Sequence, residues 1–169
     1  MKFIKHIFSF FRKRNSVDED LWMRSQEPFV DPFRRIQQDL FVSRLKRLQE
    51  ISKNTLYHAS RGDYQEALVA AKEALAYATE TKDHKLMGHA LTYLAAVHHS
   101  LHDFKEEERL LTDAARKLSG NADLPVELIL TLGKDDPTLE TIRVHLSAVY
   151  RAQGRVQESE KLVIPDIGR

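Results

Sequence analysis

The chain has no cysteine among its 169 residues. Disulfides, thiolate nucleophiles and cysteine-held zinc or iron–sulfur centres are therefore excluded, and nothing marks an oxidising compartment. Six glycines and five prolines are few for an all-β protein, and they leave long stretches free to be helical. A phosphate-binding glycine loop, a dinucleotide fingerprint, a His-Glu-x-x-His pair and a nucleophile elbow are all missing. No apolar run approaches the roughly twenty residues that a membrane-spanning helix needs.

What is present is ordinary for one globular domain: 42% hydrophobic and 30% charged residues, with a formal charge of +1. That charge is unevenly spread. Residues 1–17 hold five cations and no acid, whereas the remainder holds 21 basic and 25 acidic side chains. A weakly acidic body argues against nucleic acid as a partner, because phosphate binding calls for a basic stripe on the folded domain.

The chain repeats itself. Ser60-Arg61-Gly62-Asp63-Tyr64-Gln65-Glu66-Ala67 aligns with Ser100-Leu101-His102-Asp103-Phe104-Lys105-Glu106-Glu107 and with Ala152-Gln153-Gly154-Arg155-Val156-Gln157-Glu158-Ser159. Each reads as a tight turn followed by an apolar residue and a glutamate. Asp63 and Asp103 are placed to cap a helix N-terminus, with Glu66 and Glu106 reaching back as capping boxes. Gly62 and Gly154 suit the left-handed residue that ends the helix before. Apolar residues spaced by three and four flank the turns, as at Leu48, Ile51, Thr55 and His58, or Leu110, Leu111, Ala114 and Leu118. The expected fold is all-α: antiparallel helix pairs joined at three corners.

These residues resemble the tetratricopeptide repeat family. The best match is Gly62-Asp63-Tyr64 with Glu66-Ala67-Leu68 and Ala74; the second copy keeps Phe104 and Ala114 but has His102 for glycine and Glu107 for a small residue. The third keeps Gly154, departs at Arg155, Val156 and Ser159, and meets Pro165 early, as a capping repeat does. Tyr64 to Phe104 is 40 residues and Phe104 to Val156 is 52, against the family's usual 34. The first spacing resembles the longer-helix variants of the family, and the second leaves room for an extra short helix or packed loop near Pro125–Leu132. The resemblance implies a right-handed array over residues 32–164, with repeats near 48–81, 88–121 and 140–164 and a tail at 165–169. Residues 32–60 read as one helix or two, with an apolar stripe through Phe33, Ile36, Leu40, Phe41, Leu45, Leu48 and Ile51.

In that family the first helices of each pair line a concave ligand face. Carried over, the face comprises Gln49, Ser52, Leu56 and Ser60; then His89, Thr92, Ala96 and His99; then Thr141, Val144, Ala148 and Arg151. Family members that grip an acidic C-terminal peptide clamp carboxylates there with cations, but Ser52, Leu56, Tyr93, Thr141 and His145 stand at those places. A segment with a modest apolar stripe is the better expected ligand.

The first seventeen residues form a separate device. Phe3, Ile4, Ile7, Phe8, Phe10 and Phe11 oppose Lys2, Lys5, Arg12, Lys13 and Arg14. Such a head fits an anionic membrane interface through residues 1–14, or a hydrophobic groove in protein. A mitochondrial presequence is the third reading for a eukaryotic source. Residues 18–31 read as a linker, in which Trp22 anchors on the chain's own core or docks a partner.

Among eight histidines, His98 and His102 stand four apart, a spacing that lets two imidazoles share a metal. With Asp103 better used as a cap, no third ligand is evident, and neither metal nor cofactor is expected. His58 and His98 fall where the family has a large aromatic residue, so packing accounts for them. The resemblance therefore implies a non-enzymatic scaffold or assembly factor binding proteins or peptides, cytoplasmic and held at a membrane surface or large complex. A permanent structural subunit is the alternative.

Overall fold

The computed structural model describes residues 32–162, where every regular element is a helix: α1 (Pro32–Arg61), α2 (Tyr64–Glu80), α3 (His84–Ser100), α4 (Phe104–Ser119), α5 (Val126–Leu132), α6 (Pro137–Ala152) and α7 (Val156–Leu162). The chain divides after Arg47 into two compact units. The first contributes residues 32–47 to the description. The second, from Leu48, is an all-α array of packed helix pairs.

Three corners build the array, and they share one backbone geometry. At the first, the Gly62 N–H donates to the Ala59 carbonyl and the Asp63 N–H to the His58 carbonyl. At the second, His102 donates to His99 and Asp103 to His98; at the third, Gly154 donates to Arg151 and Arg155 to Tyr150. This pair of bonds satisfies carbonyls that a helix end leaves open, and it needs a left-handed residue between the helices. Gly62 (φ +83°), His102 (φ +57°) and Gly154 (φ +77°) occupy that position.

The shared geometry corrects the expected capping boxes. The Asp63 and Asp103 N–H groups already donate to the helix before, so Glu66 and Glu106 have no orphan donor to reach. Both Glu106 carboxylate oxygens instead accept from Arg109, at 2.9 and 2.6 Å. Asp103 does cap α4, accepting from the Glu106 N–H at 3.3 Å. Asp63 caps nothing; its carboxylate lies 3.3 Å from Arg61 Nε. Asp83 and Asp136 are the stronger caps, each accepting from two backbone N–H groups at the starts of α3 and α6. They start the second and third repeats at His84 and Pro137, a few residues before the expected 88 and 140.

Packing follows the alternation of helices. On α2, Ala67, Ala71, Ala74 and Ala78 are all fully buried, a stripe of methyl groups that lets α3 approach closely. Helix α3 packs on α2 and α4, α4 on α6, and α6 on α7. The extra residues before the third corner form α5, which packs against α4, α6 and α7 through Val126, Ile129 and Leu130. The last pair is tied on by polar bonds. Arg155 donates to Glu108 at 2.7 Å and to Glu158, and stacks 4.3 Å from the Tyr150 ring centre. Helix α7 is short, and Pro165 with the tail lies outside the described residues.

In the first unit, residues 33–40 are exposed, whereas Phe41, Arg44 and Leu45 are half-buried. The apolar stripe expected from Phe33 onward thus begins in water.

Of the three left-handed corner residues only His102 carries a Cβ, at a cost of roughly 1–2 kcal/mol. His102→Gly should raise stability by about 1 kcal/mol, less whatever its ring contact with Phe104 contributes. A urea midpoint that fails to rise would show the second corner to be built differently from the other two.

Candidate functional site

The corners also place two pairs of side chains at equivalent positions in all three copies. The residue four places before the left-handed corner residue faces the residue just after it. These pairs are His58 with Asp63 (4.0 Å), His98 with Asp103 (3.1 Å) and Tyr150 with Arg155. One step along, the second pair is Ala59 with Ala67, His99 with Glu107, and Arg151 with Ser159. The first of these is a pair of buried methyl groups; the second and third are hydrogen-bonded at 2.9 Å. Each departure from a small residue at one position is met by a complementary polar group at the other.

This explains Glu107, whose carboxylate would otherwise be costly in a core. It is 1% exposed, with both oxygens within 3.1 Å of His99 Nδ1. Burial raises its pKa above the ordinary carboxylate range, and the His99 bond opposes that rise. Tyr93 of α3 is likewise raised by burial, a rise that nearby Ser52 of α1 opposes.

The expected ligand face divides on this framework. Ser52, Leu56, His89 and Ala96 are buried, so they pack the array and do not line an open surface. For the row on α3 the reason is position: the helix is flanked by α2 and α4, which leaves that row little access to solvent. Gln49, Thr92, His99 and Thr141 are half-buried; Ser60, Val144, Ala148 and Arg151 are exposed. The Ser60, Thr92 and Thr141 hydroxyls donate to carbonyls of their own helices, and Arg151 is held by Ser159. What remains together is a stripe on α6: Thr141, Val144, Ala148 and Arg151, spaced by three and four. Val144 is 50% exposed. Three of the five positions where a carboxylate clamp would place cations, Ser52, Tyr93 and His145, are polar and buried, with Leu56 buried as well.

The histidine cluster is taken up by local contacts. Helix α3 ends at Ser100, so His98 and His102 do not share a helix face. His98 lies against Asp103, and the His102 ring stands edge-on to Phe104. Among the described residues, no three His, Cys, Asp or Glu side chains come together to hold a metal ion.

Sequence reasoning missed a second concavity. Asn54 and His58 of α1 and Gln65, Glu66, Val69, Ala70 and Glu73 of α2 line a shallow groove of about 360 Å³. Its signal was available in Val69, an exposed apolar residue on one helix stripe with Glu66 and Glu73. The anchor residues Phe3 to Phe11 and Lys2 to Arg14 lie outside the described residues. Compared with protein-family models, curated proteins and solved structures, the chain finds no match.

The raised Glu107 pKa has a pH consequence. The folded chain holds this proton more tightly than the unfolded one, so the associated stability is complete below the unfolded carboxylate pKa. It falls as pH rises toward the folded value. Glu107→Gln keeps the shape and a hydrogen-bonding oxygen, so its stability relative to wild type should climb through the weakly acidic range. Urea unfolding at several pH values measures this, and a constant difference would refute it.

Proposed function

We propose that this chain is a non-enzymatic interaction scaffold or assembly factor of the tetratricopeptide kind. Its array holds a protein segment on α6, and its basic head tethers it to a membrane surface or large complex. One observation carries this reading: three corners of the same backbone geometry stack helix pairs, and the last first-helix of the array keeps an accessible stripe. That stripe is small and aliphatic along its length, with Arg151 at one end. A helical or extended segment with an apolar edge and an acidic end fits it. The His–carboxylate contacts of α3 and α4 serve the corner and the core. Among the described residues no helix is long and apolar enough to cross a membrane.

The test is binding of a partner recovered with the intact chain from its source and then purified. Val144→Arg with Ala148→Arg places two long cations on exposed positions, so the helical circular dichroism signal and melting temperature should hold. Affinity should fall about tenfold or more, as losing the centre of a small interface does. Unchanged affinity would remove α6 as the binding surface.

A further inference from the structure

The first half of α1 combines two features that do not normally occur together on an open helix. Ile36 is 62% and Leu40 42% exposed, and Phe33, one turn earlier on the same stripe, is also exposed. The stripe continues, by steps of four and three, through Arg44 and Arg47. Arg34, Arg35 and Lys46 add to these, so residues 32–47 hold five cations against Asp39 alone. Large apolar groups in water call for a cover, and the charge says what kind. A second copy of the same stretch would bring five cations against five. A neutral apolar groove would leave the arginines without counter-ions. A nucleic-acid backbone would leave Ile36 and Leu40 in water.

We infer that residues 33–47 form a second membrane-contact surface, one that takes an anionic phospholipid bilayer. Ile36 and Leu40 enter the boundary between headgroups and acyl chains. Arg44 and Arg47, on the same stripe, lay their aliphatic stems along it and carry their guanidinium groups to lipid phosphates. Arg34 and Arg35, off the stripe, add to the charge that draws the helix to an anionic surface. Single weak attachments to a bilayer are readily reversible, and two in one chain hold far longer than either alone. The basic head and this face would be the two. The inference deepens the tethering part of the proposed function and identifies its surface as lipid.

The experiment is co-sedimentation of the full chain with vesicles of phosphatidylcholine alone or with phosphatidylserine added. Four proteins are compared: wild type, Ile36→Ser with Leu40→Ser, Arg34→Glu with Arg35→Glu, and a head variant, Phe8→Ser with Phe11→Ser. All substituted residues of α1 are exposed, so circular dichroism should match wild type in each. Wild type should bind the anionic vesicles in a salt-sensitive manner and the neutral ones weakly. The Ile36/Leu40 variant should lose about tenfold in partitioning. The Arg34/Arg35 variant should lose more, at roughly fivefold for each cation removed. Wild-type-like partitioning of both α1 variants overturns the inference; if the head variant alone fails to bind, tethering stands without α1. No binding by wild type overturns both. Loss of a co-purifying protein from the α1 variants, with vesicle binding intact, overturns it in favour of a protein partner.

Discussion

The array depends on how each helix ends. A helix leaves its last carbonyls without partners, and burying them against a neighbour is costly unless donors are supplied from within. The corners here supply two, from consecutive N–H groups reaching back across one left-handed residue. The same bonds set the direction in which the next helix leaves. Three repetitions of that geometry yield three antiparallel pairs, and the close approach of α3 to the alanine stripe of α2 becomes possible only once those directions are set.

Around this backbone constraint the side chains vary in matched pairs. Where the first copy closes a position with Ala59 and Ala67, the second uses His99 and Glu107 and the third Arg151 and Ser159. Where two copies set a histidine beside an aspartate, the third sets a tyrosine beneath an arginine. The physical rule is satisfaction of buried polar groups: a carboxylate or guanidinium enters such a position only with a partner in hydrogen-bond range. The backbone thus tolerates divergent copies, and the third, joined through Arg155, Gln153 and Glu108, is held by polar bonds where the first is held by methyl groups.

Position in the array then determines what is open. The middle first-helix, α3, has neighbours on several sides, so its row of candidate contacts is spent on packing. Helix α6 comes last among the first helices, and its equivalent row stays in water. Of the twelve residues on three helices expected to form a ligand face, the accessible ones that stay together form one stripe on α6. With residues 33–40 also exposed, large apolar side chains reach water at the beginning of α1 and on the outer row of α6, as well as at Val69, Leu132 and Val156.

Much of this was legible in the sequence. The all-α class, the three corners, the helical character of the segment before the first of them and the extra element before the third follow from turn residues and helical spacing, which act locally. The spacing leaves open whether residues 32–61 form one helix or two. Local signals misled where a neighbour could satisfy the same group. Asp63 and Glu66 have capping-box spacing, but the corner carbonyl had already taken the donor. His98 and His102 have metal-ligand spacing, but the helix stops between them. Other features were set only by tertiary structure. A glutamate at 107 reads as a break in the pattern until His99, eight residues earlier, is seen against it. Ser52, Leu56, His89 and Ala96 read as surface until the neighbouring helices cover them. Period and turn chemistry belong to a few adjacent residues, so the sequence alone determined the helices and their corners. Burial belongs to helices distant in the chain, so only their packing decided which faces remain to bind anything.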